Sequence, residues 1–65
     1  MIKYSKHARE QMFSIGISIN EVEESLKKGS KELQGEKILF HYKYFTVVTK
    51  KLNKDFFVIT VMLRW

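Results

Sequence analysis

The residues with chemistry to offer are two histidines, a threonine–arginine pair and a basic, aromatic C-terminal half. His7 follows Lys6 and precedes Arg9 and Glu10. In the first turn of a helix it would meet free N–H groups and the positive end of the helix dipole. That place binds phosphate and disfavours imidazolium, so a neutral base is available near neutral pH. Beside a cation, such a histidine can do general acid/base and oxyanion work on a phosphodiester without a metal. It is equally able to be a solvated or capping side chain. His41, between Phe40 and Tyr42, is either a partly buried packing residue or a phosphate contact. Thr60 and Arg64 share one face of a strand, which offers a hydroxyl and a guanidinium to one phosphate or merely two surface groups. Neither histidine has a second ligand at metal-binding spacing, and there is no Gly-rich phosphate loop or Ser-His-Asp arrangement. No metal and no cofactor are expected.

Charge narrows the class of partner. Twelve Lys and Arg against seven Asp and Glu give +5 and a pI near 9.6. Residues 36–65 hold Lys37, Lys43, Lys50, Lys51, Lys54 and Arg64 against Glu36 and Asp55, together with seven of the nine aromatics. Lysines interleaved with aromatics suit single-stranded nucleic acid, where phosphates pair with cations and bases stack. The same composition also builds strands, with lysines guarding their edges. Tyr4, Tyr42 and Tyr44 are as able to line a sheet as to stack on bases.

These side chains must be positioned by a very small scaffold. Sixty-five residues in 7.8 kDa make one domain, 1–65, which buries only about 60% of its unfolded surface and is marginally stable. With 45% hydrophobic and 29% charged residues the chain is globular, and with no cysteine it has no disulfide, zinc ribbon or thiolate nucleophile. The polar N-terminal stretch lacks a secretory pattern, and Phe56 to Leu63 is far too short to span a bilayer. A cytoplasmic location without membrane contact is expected.

Gly16, Gly29 and Gly35 punctuate a chain that has no proline. Ser5 predicts an N-cap for a helix from Lys6 to about Ile15, with Ala8, Met12 and Ile15 on one face and Gly16 as a left-handed stop. Ser18-Ile19-Asn20-Glu21 reads as a capping box, with Ile17 packing on Val22, and predicts a second helix over 19–28. Its glutamates sit near the positive end, and Lys27 and Lys28 near the negative end. After Gly29 the period becomes two. Ser30 to Gln34, Lys37 to Lys43, Tyr44 to Lys51 and Phe56 to Arg64 then predict four strands in an antiparallel meander, with turns at Gly35-Glu36 and Asn53-Lys54. In the last strand Phe57, Ile59, Val61 and Leu63 form the better core face, leaving Thr60 and Arg64 opposite. The expected fold is α+β, ααββββ, with two helices packed on a four-stranded antiparallel sheet.

Ser5-Lys6-His7-Ala8, Met12, Gly16-Ile17-Ser18, Glu21-Val22 and Val58-Ile59-Thr60-Val61 together resemble a family of small prokaryotic domains of unknown function. That family is itself similar to the RelE/ParE-like toxin fold. The resemblance covers nearly the whole chain. It implies a fold shared with metal-independent endoribonucleases, RNA as substrate, and an acidic antitoxin-like protein as partner. Carried over residue by residue, the helix histidine is His7 and the last-strand threonine is Thr60, which would be the catalytic pair. On their own chemistry Lys6, Arg9, His41, Tyr42, Tyr44 and Arg64 would add nucleic-acid contacts. Where the family pattern carries arginines, this chain has Gln11 and Ile15. Arg9 is turned about 200° from position 11 on a helix and cannot replace it. The alternative is therefore a non-catalytic module that binds nucleic acid or protein.

Overall fold

A computed structural model describes residues 2–64; Met1 and Trp65 lie outside them. The elements run β1 (Ile2–Tyr4), α1 (Lys6–Ile15), α2 (Ile19–Lys28), β2 (Ser30–Gln34), β3 (Lys37–Tyr42), β4 (Phe45–Leu52) and β5 (Asp55–Leu63). Both helices occupy the spans expected of them, for the expected reasons. The Ser5 hydroxyl accepts the Ala8 N–H at 2.9 Å, and Gly16 ends α1 at φ 77°, where a side chain would be strained. At α2 the Ser18 hydroxyl accepts the Glu21 N–H at 3.2 Å, and the Glu21 carboxylate accepts the Ser18 N–H at 3.0 Å. Ile17 and Val22, on either side of this cap, are both buried.

The sheet corrects the expected four antiparallel strands. It has five, in the order β1-β5-β4-β3-β2, and β1 pairs with β5 in parallel. A three-residue strand is too short to display alternation, and nothing local announces a partner more than fifty residues away. Ser5 then turns the chain from this edge onto one face of the sheet. Its N–H donates to the Val58 carbonyl at 3.0 Å, and its hydroxyl donates to the Ile59 carbonyl at 2.8 Å. The cap of α1 is therefore also its anchor to β5.

A bulge corrects the assignment of faces in β5. Val48 opposes Thr60 but Thr49 opposes Val58, so Ile59 is an extra residue. Such an insertion reverses the alternation beyond it. Val58 before the bulge and Val61 after it are both fully buried under the helices, whereas an unbroken odd-numbered face was expected. Thr60 keeps its expected place on the face without helices.

One core fills the space between the helices and the sheet. Ala8 and Met12 of α1 and Ile17 and Val22 at α2 meet Phe40, Phe45, Val47, Val58 and Val61. Each buried Val, Met or Phe contributes about 1.5–3 kcal/mol, a large share of the stability of so small a domain. Ile15 is partly buried and packs against this cluster. Gly29 lets α2 run into β2 at close quarters, because a Cβ there would stand 2.5 Å from the Ser25 carbonyl oxygen and 2.9 Å from that of His41. The opposite face of the sheet carries no helix.

Candidate nucleic-acid interface

Strand pairing decides which side chains share the open face. In β4 the helix-facing residues are Phe45 and Val47, so Thr46, Val48 and Lys50 point the other way. Directly paired residues lie on the same face. Lys37 of β3 opposes Lys50 of β4, Lys50 opposes Phe57 of β5, and Phe57 opposes Lys3 of β1. The result is a row, Lys37–Lys50–Phe57–Lys3, crossing four strands with one half-buried aromatic among three exposed lysines. Lys37 and Lys50 confront each other as like charges, which costs stability unless an anion lies between them. The nearby acids relieve this little. Glu36 reaches Lys50 at 4.0 Å and a half-buried Asp55 reaches Lys3 at 3.9 Å, surface pairs of the kind that contribute at most about 1 kcal/mol.

A polar chain crosses the same face further along the strands. His41 Nε2 lies 2.7 Å from Glu32 Oε1, and His41 Nδ1 lies 2.8 Å from Thr46 Oγ1. A carboxylate only accepts, so Nε2 carries the proton given to Glu32. The Thr46 hydroxyl can rotate to donate to a neutral ring or to accept from a charged one. The ring is thus held in either state. The hydrogen bond from His41, and next that from Gln34, holds the Glu32 carboxyl below the usual carboxylate range. Thr46 is buried, so its hydroxyl positions the ring and is closed to a substrate.

The residues singled out by sequence fall in three places. Lys6, His7 and Arg9 are exposed on α1, in the helix layer, and among the described residues no hydrogen bond or ion pair engages the His7 ring. Thr60 is half-buried on the open face opposite Val48, and Arg64 stands exposed beyond the end of β5. His7 and Thr60 therefore belong to different layers, although Ser5 brings the start of α1 to the edge of β5. Tyr42 packs on the helix side, and its hydroxyl donates to Glu24 at 3.4 Å; that of Tyr44 donates to Glu21 at 3.4 Å. Both tyrosines brace α2. Of the aromatic and basic residues named in advance, His41 lies on the open face with Thr60, and Arg64 follows the end of β5. By sequence, Lys37 and Lys50 are only part of the basic C-terminal half, Phe57 is expected on the core face, and Lys3 draws no notice. What joins them is a shared register across four strands, including a parallel pair that the sequence does not display.

Among the described residues no group of three or more histidines, aspartates or glutamates could hold a metal ion, and no helix is long and apolar enough to cross a membrane. No curated protein and no solved structure matches the chain. The family model for a domain of unknown function, DUF4258, matches residues 4–63, nearly the whole chain. Both helices, the buried core and strands β2 to β5 lie within that match, which reaches only Tyr4 of β1, and the chain belongs to the DUF4258 family.

Proposed function

We propose that the protein binds single-stranded RNA on the open face of its sheet, as a toxin-like module of RelE/ParE-like architecture that holds RNA without cutting it. The observation that carries this reading is the row Lys37–Lys50–Phe57–Lys3. An aromatic between cations lets a base stack while the flanking phosphates are neutralised, and a strand of RNA laid across β1, β5, β4 and β3 would relieve the confrontation of Lys37 with Lys50. Arg64, exposed just beyond the end of β5, supplies a further donor, whereas both ring nitrogens of His41 are already engaged by Glu32 and Thr46. Two helices on one face of a meander agree with the RelE-like resemblance, and the cytoplasm is where such a protein would meet RNA. Against cleavage stand Gln11 and Ile15 in place of arginines and the separation of His7 and Thr60 into different layers.

Fluorescence anisotropy with labelled single-stranded RNA over a range of salt concentrations tests the proposal. The log of affinity should fall with log salt by about 0.7 per phosphate neutralised, so two or three lysine contacts give a slope of roughly −1.4 to −2.1. Phe57→Ala should weaken binding at every salt concentration without changing the slope. Absence of binding at low salt, or a preference for duplex, would remove the reading.

A further inference from the structure

The helix layer carries a second surface, distinct from the RNA face in position and in chemistry. Tyr4, Arg9, Met12, Phe13, Ile17 and Ile19 line a groove of about 470 Å³ between the edge strand β1 and the two helices. Phe13 beside it is 92% exposed and Ile19 55% exposed, an unusual display for a domain with so little apolar surface to spare. An unmet polar group lies beneath the groove. The Tyr4 hydroxyl is buried and, among the described residues, has no hydrogen-bond partner. Burial, and next the carboxylate of Glu23, holds its phenol above the usual range, so the hydroxyl remains a donor in want of an acceptor.

We infer that this groove is the two-fold interface of a homodimer, in which Phe13 of each chain enters the groove of the other. Three observations select a second copy as the occupant. A projecting aromatic and a hollow lie side by side on one surface, and a two-fold axis makes such a pair self-complementary because each knob meets the partner's hole. The rim is of mixed sign, with Arg9 on α1 and Glu23 on α2 near Tyr4, so it complements itself and differs from the basic open face. Association through the helix layer also points the two basic faces outward, away from each other and free for RNA.

Sedimentation equilibrium of the purified full chain over a wide concentration range tests this. Wild type should show a reversible monomer–dimer equilibrium. Phe13→Asp and, separately, Ile19→Asp should each weaken it by roughly 30-fold or more, as expected for a central apolar anchor. Leu33→Asp, at 71% exposed on the far edge strand β2, should leave it unchanged. Both groove positions are exposed, so circular dichroism should show the variants folded, and two independent variants guard against the loss of either one. A wild type that stays monomeric at the highest concentration overturns the inference, including when an added acidic protein occupies the groove instead. So does a dimer that survives both groove substitutions, or one broken by Leu33→Asp. None of these outcomes depends on RNA binding, which is read separately.

Discussion

His41 grips Glu32 across the β2–β3 pair, with Nε2 2.7 Å from Oε1, at the point where the fully exposed edge strand β2 joins the sheet. The bond holds the Glu32 carboxyl below its ordinary value of 4.5. A carboxyl with a depressed folded-state pKa stabilises the fold above its unfolded value, and that contribution disappears as pH falls through the folded value. Glu32→Gln should therefore lower stability at neutral pH and lose that difference in acid, where the two proteins converge. Urea unfolding of both proteins across the acid range checks this. Curves that stay parallel down to the lowest pH would show the pair to be without consequence for folding. Glu21, held low chiefly by the Ser18 N–H of the capping box, should give the same acid-range signature when changed to Gln.

Lys37 and Lys50 make stability and binding separable. Lys37→Glu turns a directly opposed like-charged pair into an attractive one and should stabilise the fold by about 0.2–1 kcal/mol. The same change would remove a proposed phosphate contact and set a negative charge in the row, so RNA affinity should fall while the thermal midpoint rises. Calorimetry and anisotropy on one preparation measure the two effects. A variant that gains stability and keeps its affinity would leave these lysines as surface charges with no part in binding.

The two helices were legible because their ends are written locally. Ser5, Gly16 and the Ser18–Glu21 box each act within four residues, and such short-range chemistry survives without knowledge of the rest of the fold. The strands from Ser30 onward were legible by period. The sheet's edge and its faces were not. β1 is three residues long and finds its partner at Phe56–Val58, and the bulge at Ile59 exchanges core and surface in mid-strand with no residue type to mark it. The interface suffered most from this. Tyr42 and Tyr44 attract notice by composition yet brace α2, whereas Lys3, Lys37, Lys50 and Phe57 acquire meaning only from cross-strand register.

Gly29 should resist substitution despite a backbone conformation, φ −73° and ψ 163°, open to any residue. In a site without obstruction Gly→Ala stabilises by about 0.4–1 kcal/mol through the unfolded chain. Here the new methyl meets two main-chain oxygens at 2.5 and 2.9 Å, and neither belongs to a flexible side-chain tip. Gly29→Ala should therefore destabilise by about 1–3 kcal/mol as α2 is pushed from β3. The urea midpoint measures it. A neutral or stabilising result would mean that the helix–sheet junction yields freely, and the position of His41 with it.

His7 separates a binder from an enzyme. It stands exposed in the first turn of α1, beside Lys6 and one layer away from Thr60, with no partner among the described residues to orient its ring. General acid/base catalysis needs the ring within hydrogen-bond reach of the moving proton and held there. Incubated with RNA in excess chelator, the wild-type protein should leave the RNA intact, and His7→Ala should keep its RNA affinity to within the loss of one ordinary hydrogen bond, about 0.5–1.5 kcal/mol. Metal-free cleavage by wild type that drops roughly 10²-fold or more in a folded His7→Ala variant would replace binding with catalysis as the protein's activity. It would also require the RNA to pass around the β5 edge, where Ser5 ties the start of α1 to Ile59, so that one phosphate could meet both His7 and Thr60. Equal cleavage by both proteins would assign the cutting to a contaminant or to another group, and His41→Gln, tested alongside, would show whether that group is on the open face.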